Sequence, residues 1–271
     1  MIHVATVHYR SDQWIDVQTT FLRRYLRHPY QIWANLEGVE QHAAQFDHVV
    51  PALGRHEYKL NLIAAEISAV SSPDDLIMFL DGDAFPIADP MPTVLQALSH
   101  HHLVAVQRPE NDQDPQPHPC FAVTTVRNWM EIGGDWCPGH PWEPARSGAR
   151  PVTDVGGNLL RLLELHHRTW LPLQRTNRLN LHPVWYGVYG GIVYHHGAGF
   201  RPALSRHDWL SQPRLLPQEL RTLPIIGLSA RTYDFVRLRY WARSTSRREA
   251  TRSAHIYQDI KANPRFFERF L

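Results

Sequence analysis

Residues 76–90 read LIMFLDGDAFPIADP, a run of five apolar residues that stops abruptly at Asp81-Gly82-Asp83. A short apolar run closed by turn residues is the pattern of a buried strand, so both carboxylates leave its C-terminal end together. Open α/β sheets bind their ligands at that end. Gly82 takes a side chain out of the bend, and two carboxylates at this spacing suit one hard divalent cation. A plain polar loop after a core strand has the same letters, so the surrounding chain has to decide between the two.

The surrounding chain alternates strand and helix. Residues 2–8 alternate in character and are rich in Val, which predicts a first strand with 9–13 as the loop beyond its C-terminal end. Residues 12–26 place Trp14, Val17, Phe21, Tyr25 and Leu26 at helical spacing before His28-Pro29 ends the period. A strand at 31–35, a helix at 57–70, the strand at 76–80 and another at 103–107 follow. This order predicts an α/β fold with a mostly parallel, doubly wound sheet.

Downstream, residues 108–119 (RPENDQDPQPHP) break every period and read as a loop beside the site. Glu110, Asp112 and Asp114 lack the glycine and closing glutamate of an EF-hand, so calcium is not expected there. Next come a strand at 120–125, a short helix at 128–132, and a loop at 133–153 on the expected acceptor side. Residues 229–271 hold nine arginines and Lys261 against four acidic residues, and Ser246 with Glu249 has capping-box spacing. The expected division is a catalytic domain at 1–228 and a basic, helical tail at 229–271.

A net charge of +2 with 43% hydrophobic residues excludes a disordered chain and argues against an obligate nucleic-acid binder. Only Lys59 and Lys261 are lysines among the 28 basic residues; the arginines suit phosphate, as they also suit a GC-rich coding sequence. Cys120 and Cys137 are too few for a disulfide framework, which sets the expectation of a reducing cytoplasm. The opening MIHVATVHY is already strand-like, and no apolar run reaches membrane-spanning length, so neither signal-peptide export nor a membrane span is expected.

With Asp89 following after a short apolar spacer, the string from Leu76 to Asp89 resembles the D-x-D segment of GT-A glycosyltransferases. Glycogenin-like and galactosyltransferase-like retaining enzymes are the nearest likeness. The resemblance implies a GT-A fold, a nucleotide-diphosphate sugar donor, and Mn2+ or Mg2+ held by Asp81 and Asp83, with Asp83 the more direct ligand. It also places base and ribose near Thr6, His8 and Tyr9, with Asp81 close to the ribose. Lys59 and Asn61, on the helix before the D-x-D strand, fall where related enzymes put donor contacts; a solvated helix face explains them as well.

Two later stretches extend the likeness. In TDVGGNLL, Asp154 stands where an inverting member has its base and a retaining member has the aspartate that holds sugar or acceptor. N-capping of the helix that follows is the rival explanation. In WYGVYGGIVYHHGAGFR, residues 185–201, the likeness assigns a metal-binding histidine to His195 or His196 and a diphosphate contact to Arg201. Adjacent strand residues face opposite ways, so one of the pair binds. The spacing to Gly199 favours His196, the preferred choice, and the spacing to Arg201 favours His195.

The acceptor stays open among a glycan, a lipid-linked molecule and a small molecule. The basic tail would allow peripheral contact with the inner face of a membrane, or else form a solvated helical face. Two rival functions share the D-x-D. A haloacid-dehalogenase-type phosphotransferase wants Thr or Val where Ala84 stands and a downstream lysine, of which only Lys261 is present. A non-catalytic module that binds a nucleotide sugar or glycan would keep the motif without the chemistry.

Overall fold

The computed structural model describes residues 1–143, 151–197 and 247–271. The chain divides into two compact units, Met1–Phe200 with Arg265–Leu271, and Arg201–Pro264. In the second unit the described part is helical over residues 247–262. The expected boundary at 228 lies outside the described residues. No helix among the described residues is long and apolar enough to cross a membrane.

The first unit runs β1 (Ile2–Tyr9), α1 (Ile15–Tyr25), β2 (Tyr30–Glu37), β3 (His48–Val49), α2 (His56–Val70), β4 (Leu76–Asp81), β5 (Ala84–Pro86), α3 (Met91–Leu98), β6 (Leu103–Gln107) and β7 (Pro117–Thr125). It continues through α4 (Val126–Glu131), α5 (Gly157–Leu165), β8 (Trp170–Leu173), β9 (Gly187–Tyr189) and β10 (Val193–His195). Seven strands form one sheet in the order β3-β2-β1-β4-β7-β6-β8. All run parallel except β7, which is antiparallel to both β4 and β6. The α/β, mostly parallel fold expected from the sequence is the one observed.

Both faces of the sheet are covered, so its strands read as near-continuous apolar runs. One face packs Val4, Met78 and Val104 against Ile15 and Leu22 of α1 and Val94 of α3. The other packs Ala5, Ile77 and Phe79 against Leu60 and Ile63 of α2, Trp129 of α4 and Leu159 of α5. Phe79, fully buried between Trp129 and Trp136, contributes about 1.5–3 kcal/mol from burial alone.

β7 starts at Pro117, earlier than the strand predicted at 120–125. Pro117 and Pro119 donate no ladder bond, and the β6–β7 register shifts between Ala105 and Val106, as a bulge does. That bulge lies beside the site described next.

A second sheet of three strands, β5-β10-β9, stacks Phe85 against Phe21 of α1 and against Tyr194. Phe266 and Phe270, close to the C-terminus, are buried against Tyr194.

Candidate metal centre

Successive sheet neighbours of β1 are β2 on one side and β4 on the other, so the chain order reverses between β1 and β4. A crevice opens outside the carboxyl ends of the strands at such a switch point. Asp81 is the last residue of β4, and β5 begins at Ala84, so the D-x-D is the turn between two sheets. β10 pairs antiparallel with β5 and sets His195 opposite Ala84. This register brings His195 Nε2 to 3.4 Å from Asp83 Oδ1 and 3.7 Å from Asp81 Oδ2.

Asp81, Asp83 and His195 each offer a ligand atom, all within 4.8 Å of one another. Asp83 is only 4% exposed, and a carboxylate withdrawn from water needs a compensating charge. Burial pulls the His195 pKa down, but Cys120 and Asp83 outweigh it and hold the imidazole well above its ordinary value. Two carboxylate oxygens and one imidazole nitrogen are a donor set that suits Mn2+ or Mg2+.

His56, in the first turn of α2, adds a partner that sequence reading missed. Its Nε2 lies 3.0 Å from Asp81 Oδ1, leaving Oδ2 turned to His195. Burial lowers the His56 pKa, and the bond to Asp81 overcomes this and raises it. Its sequence signal was a histidine at the start of the helix preceding the D-x-D strand.

His196 points the other way. It packs on Trp14 and Tyr186 at centroid distances of 4.6 and 5.0 Å, and its Nδ1 is 3.1 Å from the Tyr194 hydroxyl. Burial lowers its pKa to about 4. The strand alternation anticipated from sequence is present, but the member beside the carboxylates is His195, not the preferred His196.

Thr6 and His8 are fully buried and bond Gln18 of α1 rather than open space. Tyr9 is part-exposed, and its ring carries the Lys59 ammonium at 4.8 Å. Lys59 is buried and paired with Glu37 of β2. Tyr9, Lys59 and Glu37 thus form a separate group at the ends of β1 and β2. Asn61 bonds Asp135 and the Trp136 amide, which fastens the 133–143 loop to α2.

Asp154 does not cap α5. Gly156 occupies that position at φ +100°, where an added Cβ would strike the Pro117 carbonyl. The Asp154 side chain is 45% exposed, with Oδ1 accepting the Val155 N–H and Oδ2 3.7 Å from Arg108. Arg108, immediately after β6, was not singled out from sequence. Burial lowers its pKa while Asp154 and Tyr189 raise it, with a net rise. His118 of β7 lies with its ring 5.9 Å from that of His195. Arg201 lies outside the described residues.

No protein-family model matches the chain, and no curated protein does. Among solved structures, it is similar to the mannosyltransferase PcManGT from Pyrobaculum calidifontis in complex with GDP-Man and Mn2+, at 14% identity and a TM-score of 0.43 over 63% of this chain and 54% of that one. It is similar to the glycosyltransferase GlyE of Streptococcus pneumoniae TIGR4, at 13% identity and 0.39 over 63% and 44%. A third likeness is to the galactosyltransferase LgtC in complex with donor and acceptor sugar analogs, at 10% identity and 0.34 over 48% and 60%. The matched part spans less than two thirds of each of these proteins. At such low identity and partial overlap, the chemistry has to come from the residues themselves.

Proposed function

We propose that this chain is a metal-dependent glycosyltransferase of the GT-A type, moving a sugar from a nucleotide-diphosphate sugar to an acceptor. The supporting observation is the convergence of Asp81, Asp83 and His195 at the switch point of an α/β sheet. In this reading Asp83 and His195 bind Mn2+ or Mg2+ together with Asp81, which His56 orients. The cation, when bound, supplies a Lewis acid against the charge that grows on a departing diphosphate.

Asp154 faces the reacting sugar and is steadied by Arg108. In an inverting course its carboxylate takes the acceptor hydroxyl's proton; in a retaining course it holds the sugar or acceptor. Tyr9 with Lys59 and Glu37 borders the donor. A haloacid-dehalogenase-type phosphotransferase stays disfavoured by Ala84 after Asp83 and by the lack of a downstream lysine other than Lys261.

A thermal-shift screen of nucleotide sugars with and without Mn2+ tests this. A donor at 100 times its dissociation constant should stabilise the protein by ~2.7 kcal/mol, and only with metal. Equal stabilisation by nucleoside monophosphates without metal would count against the site.

A further inference from the structure

Gln18 sits in the buried stripe of α1 with no exposed surface. A buried primary amide has two N–H donors and an acceptor oxygen, and each one left unmet costs about 1–3 kcal/mol. Here all are met, and the donors meet at one place. Nε2 donates to the backbone carbonyl of Asp81 at 2.7 Å and to that of Ala84 at 2.9 Å. Carbonyls only accept, so these two bonds fix which end of the amide is nitrogen. Oε1 therefore accepts from the Thr6 hydroxyl at 3.0 Å and from His8 Nε2–H at 3.2 Å.

The two carbonyls bracket the turn Asp81-Gly82-Asp83-Ala84. We infer that Gln18 is a positioning residue: it holds the D-x-D turn from inside, and Thr6 and His8 lock its amide in the one orientation that does so. The residue after β10 holds the same turn from its other side, where the His196 N–H donates to the Asp83 carbonyl at 3.0 Å. Together the two anchors set the direction in which the Asp81 and Asp83 carboxylates leave the backbone. The geometry stands without a metal, whereas its consequence rests on the metal-binding reading proposed above.

The test pairs hydrogen exchange of the metal-free protein with Mn2+ titration followed by electron paramagnetic resonance. In Gln18→Leu, amides of residues 81–85 should exchange about tenfold faster or more, with β1 and α2 unchanged. Mn2+ affinity should fall about tenfold, the usual cost of losing an outer partner. Thr6→Val keeps both donors of the amide and should cost about fivefold or less. If Gln18→Leu does not fold, the near-isosteric Gln18→Glu, which replaces the donating nitrogen with oxygen, is read at the same segment.

Exchange at 81–85 within about twofold of wild type in a folded variant overturns the clamp. Faster exchange with unchanged Mn2+ affinity overturns its positioning role. A wild-type protein that takes up no Mn2+ sinks the metal reading instead, and the exchange result still judges the clamp.

Discussion

Asp75 and Asp83 flank β4 at its two ends, and each faces a buried histidine at almost the same distance. His3 Nε2 lies 3.5 Å from Asp75, and His195 Nε2 lies 3.4 Å from Asp83. Their pKa values nevertheless move in opposite directions. Burial lowers that of His3, and Asp75 does not recover it. Burial also lowers that of His195, but Cys120, Asp83 and the bonds they make lift it well above the ordinary value.

The two ends of β4 also differ in what else their carboxylates meet. At the N-terminal end of β4 a single carboxylate pairs with the Met1 ammonium at 2.8 Å and accepts the Ser72 N–H, while the His3 ring accepts the Trp33 N–H at Nδ1 and lies 2.9 Å from the Ser71 hydroxyl at Nε2. At the C-terminal end two carboxylates converge on imidazoles. The Asp75 charge is thus already met by the Met1 ammonium beside His3, whereas Asp81 and Asp83 stand together at the other end, the arrangement that the proposed cation site needs.

Removing the aspartate at each end should break the comparison most visibly. Asp83→Ala should lower Mn2+ affinity by about a hundredfold or more, since a direct ligand exceeds the 10–100-fold cost of an outer partner. Asp75→Ala should leave Mn2+ affinity unchanged and cost about 1 kcal/mol of stability. Calorimetric Mn2+ titration and urea denaturation of both variants check this pair.

The adjacent histidines sharpen it next. His195→Ala should weaken Mn2+ binding by tens-fold, roughly the upper range for a metal-site partner, with little change in Tm. His196→Ala should cost about 2 kcal/mol, because it empties a site packed by Trp14 and Tyr186, and should leave Mn2+ affinity nearly intact. The reverse pattern would move the ligand to His196, as the spacing to Gly199 suggested. His56→Ala should follow with about a tenfold loss of Mn2+ affinity at unchanged stoichiometry.

The smallest effect concerns pH. The pKa values of His3, His8 and His196 are all lowered by burial, the last two to about 4. The unfolded chain therefore binds more protons than the folded one below the ordinary histidine value of about 6.5, and stability falls as pH drops from there. Each such histidine should contribute at most about 1.4 kcal/mol per pH unit. His195 has the opposite sign in the metal-free protein: its contribution is full below its ordinary value and is lost as pH rises through its raised one. Urea midpoints between pH 5 and 8, for wild type and His3→Gln, measure the first effect as a shallower slope in the variant.

Elements with strong local periodicity were legible in the sequence. β1, β4, β6 and α2 fall within a residue or so of their predicted limits, and the D-x-D emerges at the carboxyl edge as read. What escaped depends on partners far along the chain. The choice of His195 over His196, both named from sequence, is made by the pairing of β10 with β5, a register no local pattern encodes. Gln18 interrupts an apolar stripe between Trp14 and Leu22, a buried polar position that helical spacing alone makes suspect but does not explain. Thr6 and His8 were assigned to the donor from their place on β1, yet their side chains turn to the α1 side and meet Gln18. The start of β7 was hidden by prolines that its bulge tolerates.

The most direct test of the central claim is the release of nucleoside diphosphate from a nucleotide sugar, measured with Mn2+ and with chelator for wild type, Asp75→Ala and Asp83→Ala. The account predicts slow, metal-dependent release by wild type and by Asp75→Ala, and none by Asp83→Ala. Release by Asp83→Ala at the wild-type rate, or release by wild type that chelation leaves unchanged, would contradict it.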